Sequence, residues 1–174
     1  TIAKEDLNAV VFLPGVGSFD SGVDRLKNSG NFDFLKKAVL TPNFNLVGVC
    51  LGMQLLMEKS SEGTEIGLNV FDGDVVELAA QKINVGWNYV YSDNFFNEGS
   101  LAGYWPRMYF VHSYRVRVTD QSLILAESNF MGEIFPSIIG DGQHFGIQCH
   151  PERSHADGLK LLRELLVSLK CELS

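Results

Sequence analysis

The sequence predicts an α/β domain built on a parallel sheet, and three observations support this. Two short apolar runs, Ala9 to Leu13 and Leu46 to Val49, each lead through a glycine-bearing turn into residues at helical spacing. Strand, helix, strand, helix is the rhythm of a sheet with crossover helices. The middle, from Asn69 to Glu127, is rich in strand-like segments with few helical intervals, which adds antiparallel or mixed strands at the sheet edge. The 174 residues are 45% hydrophobic and 20% charged, enough for one core in one domain.

The elements follow in order. Ala9-Val-Val-Phe-Leu13 reads as a buried strand entering the tight loop Pro14-Gly-Val-Gly17. Phe19 to Lys37 holds two short helices, because Asn28-Ser-Gly-Asn31 interrupts the apolar spacing. Leu46 to Val49 is the next strand, and Leu51 to Lys59 the helix behind it. Strand-like stretches follow at Asn69–Leu78, Ile83–Tyr91, Met108–Val118 and Leu123–Glu127. Ser137 to Ile139 and His144 to Gln148 flank Gly140-Asp-Gly142 as a hairpin. Leu159, Leu162, Leu165, Leu166 and Leu169 mark one face of a closing helix, with Ser154 and Asp157 placed as a capping box ahead of it.

Charge and cysteine count exclude several function classes. The net charge is −7 without a lysine or arginine run, which argues against nucleic-acid binding, since neutralising phosphates needs clustered cations. No apolar run reaches membrane-spanning length, and no secretory layout opens the chain. Cys50, Cys149 and Cys171 are an odd set in a chain too large to need staples, so reduced thiols and a cytoplasmic location are expected. Zinc-type spacing is absent, so no metal is expected. The start at Thr1 fits a processed or trimmed chain.

The chemistry concentrates at Gly48-Val-Cys50-Leu-Gly52, which has the spacing of a nucleophile elbow with cysteine in the serine position. A sharp strand-to-helix turn strains the nucleophile, and the flanking glycines relieve the crowding. At a helix start the unpaired N–H groups are expected to favour the thiolate, and the Leu51 N–H to face a developing oxyanion. Taken alone, Cys50 fits a small buried hydrophobe equally well.

A partner stands 100 residues on, in Phe145-Gly-Ile-Gln-Cys-His-Pro-Glu152. His150 suits a general base and Glu152 its orienting carboxylate. Residues two apart in extended backbone share a face, so these two project together and Cys149 turns toward the core. A capped histidine at a strand end is the plainer alternative for His150.

Gly48-Val-Cys-Leu-Gly-Met-Gln54 together with His150-Pro-Glu152 resembles the class I, or triad, glutamine amidotransferases. Pro14-Gly-Val-Gly-Ser-Phe19, Gly86-Trp-Asn88, Tyr109-Phe-Val-His-Ser-Tyr114 and Pro151-Glu-Arg-Ser154 narrow the likeness to glutaminase subunits of imidazole glycerol phosphate synthase. The resemblance covers nearly the whole chain in order. It implies a three-layer, flavodoxin-like domain over residues 1–174 with a mixed, mainly parallel central sheet, lacking a first βα unit.

By the same resemblance, Cys50 is the nucleophile, His150 the base and acid, and Glu152 the orienting group. Gly15, Val16, Gly17 and Leu51 form the oxyanion site, and Gly52, Gln54, Ser113 and Tyr114 hold L-glutamine. Trp87, Asn88 and Arg153 face a (β/α)8-barrel cyclase that receives ammonia for histidine biosynthesis. Neither cofactor nor metal is implied. Gln54, Ser113, Tyr114 and Trp87 also fit ordinary helix, strand and core positions. His112, between apolar residues in a strand, is expected to be structural.

Three departures from the family pattern stand out: Cys149 replaces an aromatic, Arg153 replaces a lysine, and the loop from Glu77 to Ile83 is short. They leave open a paralogue feeding another barrel synthase, such as one building an amidino sugar. A related cysteine hydrolase and an inactive scaffold are the other classes.

Overall fold

The computed structural model describes residues 10–92 and 105–169. Ala9, at the start of the first expected strand, and Cys171 lie outside that range. A five-stranded sheet organises the chain, in the order β1 (Val10–Gly15), β2 (Asn45–Cys50), β10 (His144–Ile147), β9 (Glu133–Gly140) and β8 (Ile124–Phe130). β1, β2 and β10 pair in parallel, while β9 runs antiparallel to both of its neighbours. Only β9 therefore opposes the common direction, and the sheet is mixed and mainly parallel.

β2 is buried at every position from Leu46 to Cys50, as a strand covered on both faces must be. Its side chains divide between two cores. Leu46 packs with Phe19, Val23, Leu35, Met53 and Leu56 on the face covered by α1 (Phe19–Asn28), α2 (Asn31–Ala38) and α3 (Leu51–Leu55). Val47 and Val49 join Phe110, Phe135, Ile147, Leu161 and Leu165 on the other face, beneath α4 (His155–Ser168). Helix, sheet and helix make three layers.

The two short helices and the β9–β10 hairpin match expectation, and the middle of the chain does not. Its strands were expected along the sheet edge. β8 and β9 do lie there, but the others form small sheets of their own. β3 (Lys59–Ser60), β4 (Gly73–Glu77) and β7 (Tyr114–Val118) make one; β5 (Asn84–Tyr89) and β6 (Arg107–His112) make another. The expected strand from Met108 to Val118 breaks at Ser113, where the chain leaves one small sheet for the other.

α3 ends at Leu55, short of the expected Lys59. The reason is tertiary. The Leu55 carbonyl accepts the Leu68 N–H at 2.8 Å, and the Leu56 carbonyl accepts the Val70 N–H at 2.8 Å. A returning loop thus takes the carbonyl groups that a longer helix would bond internally. The closing helix also differs at its start. Ser154 does not cap α4; its hydroxyl donates to the His150 carbonyl at 2.6 Å and accepts the Tyr109 N–H at 2.9 Å.

A methyl group placed on Gly52 meets the Leu13 carbonyl oxygen at 1.7 Å, so α3 lies on β1 only because that position has no side chain. Gly52→Ala is expected to destabilise the fold by about 2 kcal/mol or more, because the obstacle is backbone and cannot swing aside. A chemical denaturation midpoint equal to the native value contradicts this packing.

Candidate active site

The sheet register brings the singled-out segments to one edge. Gly15 pairs with Cys50 across β1 and β2, and Val49 pairs with Ile147 across β2 and β10. Adjacent strands lie about 4.8 Å apart. The loop at Gly15 to Gly17, the turn at Cys50 and the segment from Gln148 to His150 therefore leave the sheet side by side. Cys50 sits at φ 54 and ψ −111, a conformation that non-glycine residues rarely adopt. The elbow closes tightly: a methyl on Gly48 meets the Gly52 carbonyl oxygen at 2.5 Å.

The thiol is buried. It donates to the Val111 carbonyl at 3.8 Å, and the Gln148 Nε2 donates to it at 4.0 Å. The expected low thiol pKa is not found. Burial pushes the Cys50 thiol up to about 11; the Leu51 N–H opposes this, and the Glu152 carboxylate adds to it. A helix of five residues offers only a weak positive end, and desolvation wins. The resting sulfur is thus a thiol at neutral pH and needs a base to ionise it.

His150 is the candidate for that base. Its Nδ1 lies 2.7 Å from Glu152 Oε1, and the carboxylate accepts, so Nδ1 carries the hydrogen. Nε2 is buried and without a hydrogen-bond partner among the described residues. The thiol and the imidazole are not hydrogen-bonded to each other in this state, and such contacts commonly tighten only when substrate binds. The expected contact with Glu152 is made, though not by extended backbone. Pro151–Arg153 forms a 3₁₀ turn, which swings Glu152 back under the ring. The Glu152 side chain remains 60% exposed, whereas the imidazole is 7% exposed. Cys149 is in the core, where burial raises its thiol pKa.

Beside Cys50 opens a cavity of about 240 Å³, lined by Val16, Gly17, Leu51, Gln54, Ser113 and Tyr114 among the expected residues. Glu62, Val111 and His112 complete the wall. Gly15 and Gly52 do not line it; Gly52 packs against the Leu13 carbonyl and Gly15 against the Leu51 side chain. The Gln54 amide donates to the Tyr114 carbonyl at 3.0 Å and to Gln148 Oε1 at 3.3 Å, so it serves as a cavity post as well as a helix residue.

Glu62 and Gln148 were not singled out in the sequence. Glu62 arrives on the loop that returns over α3, its carboxylate held by the Phe19 N–H at 2.7 Å. Gln148 does have a sequence signal, being two residues before His150 on a strand of period 2.

Trp87 is 40% exposed, so it is not a core aromatic. It stacks on His155 at 5.3 Å and meets the Tyr109 ring edge-on at 5.9 Å. The Arg153 guanidinium lies over Tyr109, 4.2 Å from the ring centre. Tyr109 is also bridged to His150, whose N–H donates to its carbonyl at 2.8 Å. Asn88 stands apart from this group, donating to the Asn129 carbonyl. Val85, Trp87 and Tyr89 alternate outward along β5 as an exposed apolar row.

Comparison with known proteins places the chain in a family. The profile of the family "Glutamine amidotransferase class-I" matches residues 1–169. The imidazole glycerol phosphate synthase subunit HisH of Thermotoga maritima is 41% identical, covering 98% of this chain and 80% of that protein. The subunit of the same name from Methanopyrus kandleri is 43% identical over 92% of this chain and 79% of its own length. A crystal structure of a glutamine amidotransferase superposes with a TM-score of 0.71 at 17% identity, covering 92% of this chain and 79% of that one. The glutaminase domain of Trypanosoma brucei CTPS with bound acivicin gives 0.63 at 17% identity, over 98% and 75%. At such identity these two likenesses concern the fold.

Two outcomes follow from the electrostatics. Alkylation of Cys50 in the free protein by iodoacetamide is expected to be slow at pH 7 and to climb steadily to above pH 10. A plateau near pH 8 contradicts the buried thiol. His112 is held neutral: burial lowers its pKa from 6.5 to about 4, the Tyr114 carbonyl and Glu133 opposing and His150 assisting. Below pH 6.5 the unfolded chain takes up a proton that the folded chain refuses. Stability therefore falls as pH drops from 6.5 and the loss levels off below about 4, on the order of 3 kcal/mol in all. Denaturation of the native protein and of His112→Asn across that range measures it; parallel pH profiles contradict it.

Proposed function

The chain belongs to the class-I glutamine amidotransferases, and from that premise we propose that it hydrolyses L-glutamine as the glutaminase subunit of imidazole glycerol phosphate synthase. One observation carries the chemistry: a buried imidazole nitrogen without a hydrogen-bond partner among the described residues, on a ring braced by a carboxylate, at the end of the sheet where a strained cysteine ends its strand.

In this reading His150 Nε2 takes the Cys50 proton as the sulfur attacks the amide carbon of glutamine. The carbonyl oxygen becomes an oxyanion that the Leu51 N–H and the loop at Gly15, Val16 and Gly17 stabilise. His150 returns its proton to the leaving nitrogen, ammonia departs, and a γ-glutamyl thioester stays on Cys50. Water, deprotonated by His150, then attacks the thioester and releases glutamate. Glu152 holds the ring tautomer and offsets the imidazolium charge.

The cavity suits the rest of the substrate. Gln54, Ser113 and Tyr114 receive its amino-acid end, with Gly52 letting the helix approach. Glu62 supplies the negative charge that an α-ammonium group requires.

Ammonia set free in neutral water becomes ammonium, which is no nucleophile, so a product of this kind needs a sheltered route to its acceptor. The partner is a (β/α)8-barrel cyclase, docked over Trp87 and Arg153 on the exposed apolar row of β5, near Tyr109, which is bridged to His150, while Asn88 lies on the opposite face of that strand. Tryptophan and arginine are the residue types that anchor such contacts. No described helix is long and apolar enough to cross a membrane, and the free thiols of Cys50 and Cys149 fit a cytoplasmic setting. A general cysteine hydrolase has no use for a carboxylate in a cavity shaped for an amino-acid end, which favours the glutaminase.

Ammonia release, measured with the cyclase present, tests the assignment. Cys50→Ala is expected to abolish it, and His150→Ala to lower it by roughly a thousandfold, the scale of general acid–base catalysis. Glu152→Ala should do less harm, and Glu62→Gln should raise KM more than it lowers kcat. Synthesis from added ammonia should survive all four changes. Undiminished glutamine hydrolysis by Cys50→Ala refutes the reading.

A further inference from the structure

We propose that His112, which has no part in the triad, is a positioning residue whose Nδ1–H fixes the Tyr114 carbonyl and thereby the cavity wall that receives the amino-acid end of glutamine. The proposal rests on the glutaminase reading above.

Both ring nitrogens have partners. Nδ1 lies 2.9 Å from the Tyr114 carbonyl oxygen, and Nε2 lies 3.0 Å from Asn84 Nδ2. A carbonyl only accepts, so Nδ1 must carry the hydrogen, and Nε2 must accept from the Asn84 amide. Neighbouring groups thus impose one neutral tautomer. The ring itself cannot turn. Phe135 meets it edge-on at 5.2 Å and Phe110 lies at 5.7 Å, with both phenyl groups fully buried.

The Tyr114 carbonyl takes a second hydrogen bond, from Gln54 Nε2 at 3.0 Å, which fills its two lone pairs. It lies just past the break at Ser113, between β6 and β7, where the regular ladder is interrupted. Side chains do the ladder's work there. Gln54 continues to Gln148, which reaches the Cys50 sulfur, and the Val111 carbonyl next to His112 accepts the thiol hydrogen. Val111, His112, Ser113 and Tyr114 all line the cavity. A shift of the Tyr114 carbonyl moves the wall and loosens the post at Gln54 together.

The two amide side chains separate this role from mere filling of the core. Asparagine places its NH₂ near the Nδ1 position and keeps the donor to Tyr114. Glutamine reaches the Nε2 position and loses that donor.

The probe is 6-diazo-5-oxo-L-norleucine, an electrophilic glutamine mimic, with labelling followed by mass spectrometry in the full chain with its cyclase. His112→Gln is expected to raise the half-saturating concentration roughly tenfold, the effect of one hydrogen bond, with the limiting rate changed less than about threefold. His112→Asn should stay within about threefold of the native protein in both quantities. Iodoacetamide, which has no amino-acid end, should label all three proteins alike. Equal behaviour of the two variants toward the mimic overturns the proposal. Should neither variant fold, the ¹⁵N spectrum of the native imidazole decides. A protonated Nδ1 whose resonance moves when Cys50 is labelled supports the proposal; a protonated Nε2, or an unmoved resonance, overturns it. Absence of labelling at Cys50 in the native protein is a separate result, and it defeats the glutaminase reading itself.

Discussion

The parallel pairing of β2 with β10 is the constraint on which the rest depends. Val49 opposite Ile147 fixes where each strand runs out, and so puts the elbow cysteine and the histidine turn at the same edge. Residues 100 apart in sequence reach the same end of the sheet because two apolar strands share a register, which one residue of slip would invert. Strain at Cys50 is sustained by the same arrangement. β1 and β10 hold β2 on both sides, and α3 is clamped on β1 through the side-chain-free Gly52.

Burial marks both reacting groups. It raises the thiol pKa, so that Cys50 waits in its unreactive form. It also leaves the His150 Nε2 without a hydrogen-bond partner among the described residues. A nucleophile that rests as a thiol is protected from oxidation and stray electrophiles. The free energy of ionising it must then come from the oxyanion contacts and the base together. This is a physical reason for a glutaminase to be quiet until its cavity is filled and its partner seated.

How much of this was legible in the sequence depends on distance along the chain. β2 and the β9–β10 hairpin were, because continuous apolar runs and a glycine turn are local signals. Cys50, His150 and Glu152 were, because each lies in a short motif with its own stereochemical reason. The small sheets were not: β4 pairs with β7 some 40 residues on, and no local period encodes a partner that far away. Glu62 sits in a polar stretch without any period and enters the cavity only because its loop folds back over α3. The high thiol pKa was hidden for the same reason, since a short helix start is visible in sequence and desolvation is not. His112 read as structural, and its two hydrogen bonds and place in the cavity wall are what the sequence did not show.

The central claim is that His150 ionises Cys50 for attack on glutamine. Rapid acid quench of the native protein mixed with isotopically labelled glutamine, followed by mass analysis of the peptide bearing Cys50, tests it most directly. A labile γ-glutamyl adduct on that peptide, formed within the first turnover and missing in His150→Ala, is the predicted result. An adduct on a different residue, or one formed equally fast without the imidazole, contradicts the account.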